Sequence, residues 1–173
     1  MMEFKELKEE LLRRAKEASA CEDGYKMGLA AKNKADLLAA ITDNWRWVLS
    51  IACIIDIAFL EEHFTEEELT AADIYTKGRH IISNARAFAC GSSTVKAYDS
   101  STVTACGSST VTAYDSSTVK AYDSSTVTAY NSSTVTAYDS STVTAYGFST
   151  VEAYDSSTVT AYNSSTVKAC DSS

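Results

Sequence analysis

The sequence predicts an α+β protein in which a small N-terminal α-helical domain, residues 1–83, caps a C-terminal β-solenoid of eight-residue repeats, residues 84–173. Three observations predict it. From Ser92 the motif S-S-T-V-x-A-Y-D recurs every eight residues without insertion, through ten copies ending at Asp171. Before residue 84 apolar residues instead recur every three or four positions, the period of a helix with one buried stripe. Composition changes sharply between the two stretches, and 173 residues suffice for two small domains.

In chain order, Phe4, Leu7, Leu11, Ala15 and Ala18 fall on one stripe of an amphipathic helix whose other faces carry Glu and Lys. A second helix is expected around Tyr25 to Ala31, leading into Ala35 to Ile41. The apolar run Trp47 to Leu60 reads as a buried core helix, too short for the roughly 20 residues of a bilayer span. Asp56 within it is the one carboxylate expected to be buried, as a capped or hydrogen-bonded structural group. Thr65 followed by Glu68 is a capping-box pattern, so a last short helix is expected from there to near Tyr75, before Gly78.

Valine holds one place in every octad, from Val95 to Val167, always preceded by Thr. Period two sends Ser93, Val95 and Ala97 to one side of a strand, and Thr94, Lys96 and Tyr98 to the other. The Asp-Ser and Gly-Ser pairs that follow are turn formers. A single octad cannot bury its Val and Ala, whereas stacked octads share one thin core, which is a solenoid. Asn84 to Gly91 fits the frame as a degenerate first copy.

Ser109-Thr110-Val111-Thr112-Ala113 matches the S-T-x-T-A of bacterial ice nucleation proteins, and the repeats of residues 84–173 resemble theirs. The resemblance implies two octads per coil, about five coils, and alternate copies on opposite faces. One face then carries Thr110/Thr112, Thr126/Thr128, Thr142/Thr144 and Thr158/Thr160, a T-x-T array preceded by Lys96. Beside it runs a ladder of Tyr98, Tyr114, Tyr130, Tyr146 and Tyr162. The opposite face carries Lys120, Glu152 and Lys168, with Tyr122, Tyr138 and Tyr154 next to an acidic column of Asp123, Asp139, Asp155 and Asp171. Stacked like charges repel, and no basic column lies near to neutralise them.

Residues 1–83 carry 11 basic and 16 acidic side chains and the remainder 4 and 7, a net charge of -8. That sign argues against nucleic acid or an anionic membrane as a direct partner, while leaving a basic partner open. The Glu/Lys-rich start has no signal-peptide pattern, so a cytoplasmic protein is expected. Five scattered cysteines form no disulfide framework and no C-x-x-C metal spacing, although Cys90 and Cys106 become neighbours on one edge. His63 and His80 lack partners at zinc-ligand spacing. Trp45 and Trp47 with Asp43 and Arg46 read either as a recognition patch or as core aromatics around a solvated charge.

No histidine lies in the repeats to activate their serines, and no phosphate loop is present, so neither an enzyme nor a cofactor is expected. The leading expectation is a non-enzymatic protein-binding protein. The chain also resembles repeat proteins of gut bacteria and their phages, which implies an inhibitor of a nucleic-acid-handling enzyme, such as an anti-CRISPR acting by DNA mimicry. Ice binding through the T-x-T array is the alternative, and self-assembly a third. Any homodimer is expected through the open solenoid end or the tyrosine edge, since an uncapped end exposes strand edges.

Overall fold

The computed structural model describes residues 2–170 and divides the chain into two compact units, Met1–Ala72 and Asp73–Ser173. Asp171, the last member of the expected acidic column, lies outside the described residues.

The first unit is helical. Helix α1, Phe4–Glu17, buries Leu7 and Leu11 and closes on Ser19 in the left-handed region, with the Ala20 amide donating to Ala15 O at 2.9 Å. Helix α2, Glu22–Ala30, is capped by the Cys21 sulfur, and α3, Lys34–Asp43, by Asn33, which accepts from the Asp36 amide at 2.9 Å. The apolar run does not form one core helix. Trp47–Ile51 is a π-helix, the chain turns at Cys53 with φ 47, and α4 spans Ile57–His63. Asp56 is the reason for the restart: its carboxylate accepts from the Phe59 amide at 2.8 Å as the N-cap of α4. It is therefore exposed rather than buried, because a cap stands at a helix entrance where water completes its solvation.

Helix α5, Glu66–Ala71, opens with the capping box of Thr65 and Glu68 in full. It ends sooner than expected, since Ile74 and Tyr75 already belong to a strand. Leu37, Leu38, Trp45, Leu60 and Phe64 fill the core between these helices. Lys34 pins the far end of the unit, donating to His63 O at 2.8 Å and pairing with Glu68 at 3.2 Å.

The second unit is a parallel β-solenoid of about six turns. Its first turn holds β1, Ile74–Tyr75, and β2, Arg79–Ser83. Then follow β3 (Arg86–Ala89), β4 (Thr94–Tyr98), β5 (Thr102–Ala105), β6 (Thr110–Ala113), β7 (Thr118–Ala121) and β8 (Thr126–Ala129). The last five are β9 (Thr134–Ala137), β10 (Thr142–Ala145), β11 (Thr150–Ala153), β12 (Thr158–Ala161) and β13 (Thr166–Ala169). Odd strands make one sheet of seven and even strands another of six. Every pairing between β3 and β13, and between β4 and β12, sets a residue against the one sixteen later, as Val111 against Val127. Two octads per coil with alternate copies on opposite faces is therefore the observed arrangement.

The stack starts one coil before the octad frame. Residues Asp73 to Ser83 lack the motif, yet Ile74 pairs with Phe88 and Ile82 with Ala97. Parallel pairing is a backbone property, and Ile82 and Tyr75 fill the interior places that Ala holds later. Inside, Val95 through Val143 and their alanines are fully buried, as are Ser93 through Ser149. From β4 onward the inward places hold only Ser, Val and Ala. Exposure rises at β12 and β13, where Val167 is 40% exposed.

Candidate functional site: outward columns of the solenoid

Each coil corner is built the same way. The amide of the inward serine donates to the carbonyl three residues back, as Ser125 to Tyr122 O at 3.2 Å. The residue after the tyrosine place takes a positive φ of 57–60° at Asp99, Asp115, Asp123, Asn131, Asp139, Asp155 and Asn163. Gly91, Gly107 and Gly147 fill the same place with the same sign. Only Gly, Asn and Asp reach that region readily, so backbone geometry selects the residue.

The acidic column is thus a by-product of the corner. Its carboxylates are also partnered along the stack: Asp123 accepts from the Gly107 amide at 3.0 Å, Asp139 from Asp123 at 3.3 Å and Asp155 from Asp139 at 3.4 Å. An amide dipole facing each carboxylate offsets the like-charge repulsion that the sequence alone left unbalanced.

The T-x-T residues come together as expected. Thr110, Thr126, Thr142 and Thr158 stand in register on the even sheet, and Thr112, Thr128, Thr144 and Thr160 form the second column. Lys96 and Thr94 precede them on β4. The first column is exposed, and the second is half-buried except at Thr160. Beyond Lys96 the columns continue into Arg79 and Ile81 of β2, which octad periodicity could not reveal because β2 carries no octad. Ile81 is 74% exposed there.

Tyr98, Tyr114, Tyr130, Tyr146 and Tyr162 stack with ring centroids 4.7–5.1 Å apart and planes within 9°. On the other edge Tyr122, Tyr138 and Tyr154 stack at 5.0 Å. The strand repeat of ~4.8 Å exceeds ring contact distance, so the rings lie offset, the favourable arrangement for their quadrupoles. Glu152 beside Tyr154 pushes its hydroxyl up to about 12, because phenolate would face the carboxylate. Lys168 lies 3.5 Å from Glu152 across β11 and β13. Phe148, 73% exposed, replaces a corner serine in Gly147-Phe148-Ser149, a signal visible in the sequence but not singled out from it.

The remaining candidates separate. Trp45 is buried and Trp47 half-buried, so the tryptophans do not make a surface patch with Asp43 and Arg46. His63 is buried edge-on to Phe59 at 4.4 Å, while His80 lies over Tyr75 and bonds to Lys77 O at 2.7 Å. Cys90 and Cys106 follow paired Ala89 and Ala105 on adjacent strands, both buried and neither in a disulfide. Among the described residues no group of three His, Cys, Asp or Glu is placed to hold a metal ion, and no helix is long and apolar enough to cross a membrane. No protein-family model, curated protein or solved structure matches the chain.

Proposed function

We propose that the chain is a non-enzymatic binding protein that presents the T-x-T sheet and its tyrosine ladder, as one preformed surface, to a protein partner. The observation that carries this reading is the registration of eight threonines on four successive parallel strands, flanked by stacked tyrosines. A surface already fixed by its own backbone loses little entropy on binding. Tyrosine supplies the amphipathic contact area in which interface cores are rich, and threonine supplies hydroxyls for hydrogen bonds. We place its action in the cytoplasm, where the five thiols stay reduced.

Affinity capture from source-cell lysate tests the surface. Changing Thr126, Thr128, Thr142 and Thr144 to Lys should release the captured partner, whereas Thr134→Lys on the opposite sheet should not. Equal retention by both variants would remove the T-x-T sheet from the reading. The inhibitor version, including an anti-CRISPR acting by DNA mimicry, rests on Asp123, Asp139 and Asp155. Their corner role weakens it, and a duplex carries a charge every ~1.7 Å, far denser than this column. Asparagine keeps the backbone conformation and an acceptor oxygen, so Asp→Asn at the three sites removes charge alone. A partner still captured by that variant ends the mimicry version.

The neutrality of the threonine columns from β6 to β12 favours a second reading, ice binding. A regular array of methyls and hydroxyls can order water, and threonine is under-represented in protein hot spots. Thermal hysteresis present in the wild type and lost in the four-lysine variant is the expected result. Its absence from the wild type eliminates this reading.

A further inference from the structure

The helical unit contains a half-open pocket of about 230 Å³ between α1, α2, α3 and the π-helix. Leu11, Leu37, Ile41, Trp47 and Val48 contribute its apolar walls, and none of its lining side chains is charged. Two features of the chain keep it open. Helix α2 buries none of its side chains and turns Gly24 and Gly28 toward the cavity, where a Cβ on Gly28 would lie 3.3 Å from Leu12 Cδ2. The π-helix widens the chain's path at Trp47 and Val48, a distortion that recurs at functional sites. Lys8 holds α2 in position from outside, donating to Leu29 O and Ala31 O at 2.6 Å each.

One polar group is oriented in the lining. Asn44 Nδ2 is committed to Ala40 O at 2.9 Å, which leaves its Oδ1 directed toward α2. That oxygen would stand 3.2 Å from a Cβ on Gly24, so the glycine keeps it uncovered. A cavity of about 150 Å³ with apolar walls already binds benzene. A charged ligand would find no counter-ion among the lining side chains to offset the hydration its charge gives up.

We propose that the cavity binds a neutral, mainly apolar small molecule larger than benzene that carries one hydrogen-bond donor, the donor meeting Asn44 Oδ1. Indole is the probe, compared with naphthalene, which lacks the donor, and indole-3-acetate, which adds a charge. Calorimetric titration of the full chain should show saturable indole binding with half-saturation below roughly 1 mM. Naphthalene should bind roughly threefold or more weakly and indole-3-acetate not at all.

Gly24→Ala sets a Cβ 3.2 Å from the oxygen and 3.3 Å from the Cys21 Sγ that caps α2, so it should weaken indole to the naphthalene level in a chain that circular dichroism shows to be folded. Ala40→Leu fills the cavity and should abolish binding. The site is overturned if the wild type shows no saturable indole binding, or if a folded Gly24→Ala chain binds indole undiminished. Equal binding of indole-3-acetate overturns the neutral class, and equal binding of naphthalene the donor contact.

Discussion

At the scale of single residues, the corners of the solenoid separate what is chosen for conformation from what is exposed for contact. Asp139 holds φ at 57° and accepts from the Asp123 amide. Asp139→Ala keeps neither, so it should lower the stability of the second unit by about 1–2 kcal/mol, whereas Asp139→Asn should be nearly neutral. Urea unfolding followed by circular dichroism of the strands measures both. The inward serines divide the same way. Ser133 Oγ donates to Tyr130 O at 2.7 Å, and Ser149 to Tyr146 O at 2.6 Å. In the other column the hydroxyls of Ser93, Ser109, Ser125, Ser141 and Ser157 are buried without a hydrogen-bond partner. Removing a made bond costs about 1 kcal/mol, while removing an unsatisfied hydroxyl relieves desolvation. Ser133→Ala should therefore destabilise, and Ser125→Ala should be neutral or stabilising. Equal losses at both positions would mean that the two columns share one hydrogen-bonding state.

At the scale of elements, α1 carries a charge cluster with a definite pH signature. Hydrogen bonds from Arg13 and Arg14 lower Glu10 from 4.5 to about 2, and Arg14 also donates to Ile54 O at 3.0 Å. A carboxylate lowered by folding stabilises the folded state above its unfolded value and loses that contribution as pH falls toward its folded one. The helical unit should weaken between pH 4.5 and 2, and Glu10→Gln should lower its melting temperature at pH 7 but far less at pH 2. Helical ellipticity against temperature across a pH series measures the difference. High salt should shrink it, because Arg13 is half-exposed.

The same elements show what could be read before the fold was known. Octad period gave the strands, and the apolar Val and Ala chose which of the two alternating sets turns inward; the columns followed from the two octads per coil that the resemblance to ice nucleation repeats implies. Thr65 and Glu68 announced α5. Beta strands β1 and β2 were hidden because parallel pairing asks little of side chains beyond an apolar residue at the right place. The π-helix was hidden because five residues, apolar but for Ser50, are too few for a period to separate helix types. The Asn44 oxygen needed coordinates, since glycines at 24 and 28 look like weak helix residues until a neighbour shows what they leave uncovered.

At the scale of the whole molecule, a period of eight in sequence and sixteen in space makes length a switch of surface. Deleting residues 117–132 removes one full coil, β7 and β8, and returns β9 to the odd sheet and β10 to the even sheet. Deleting only residues 117–124 removes β7 and exchanges the faces of everything after it. Beta strands β8, β10 and β12 would then join the odd sheet, and the even sheet would run from Thr110/Thr112 to Thr134/Thr136, then Thr150/Glu152 and Thr166/Lys168. Both deletions keep Val on Val and Ala on Ala at every rung, so both chains should fold with similar strand content, each losing only the neighbour terms of the strands removed. They should differ in binding. The sixteen-residue deletion leaves three neutral T-x-T rungs in register and should keep partner capture or ice activity at reduced strength. The eight-residue deletion leaves two such rungs on the even sheet but rebuilds four, Thr102/Thr104, Thr126/Thr128, Thr142/Thr144 and Thr158/Thr160, on the odd sheet beside Cys106. Ice activity should therefore survive it, whereas capture of a partner that reads the even sheet with Tyr98 and Tyr114 should fall. Equal partner capture by the two folded deletions would show that the partner does not distinguish the even sheet from a threonine array rebuilt on the odd one.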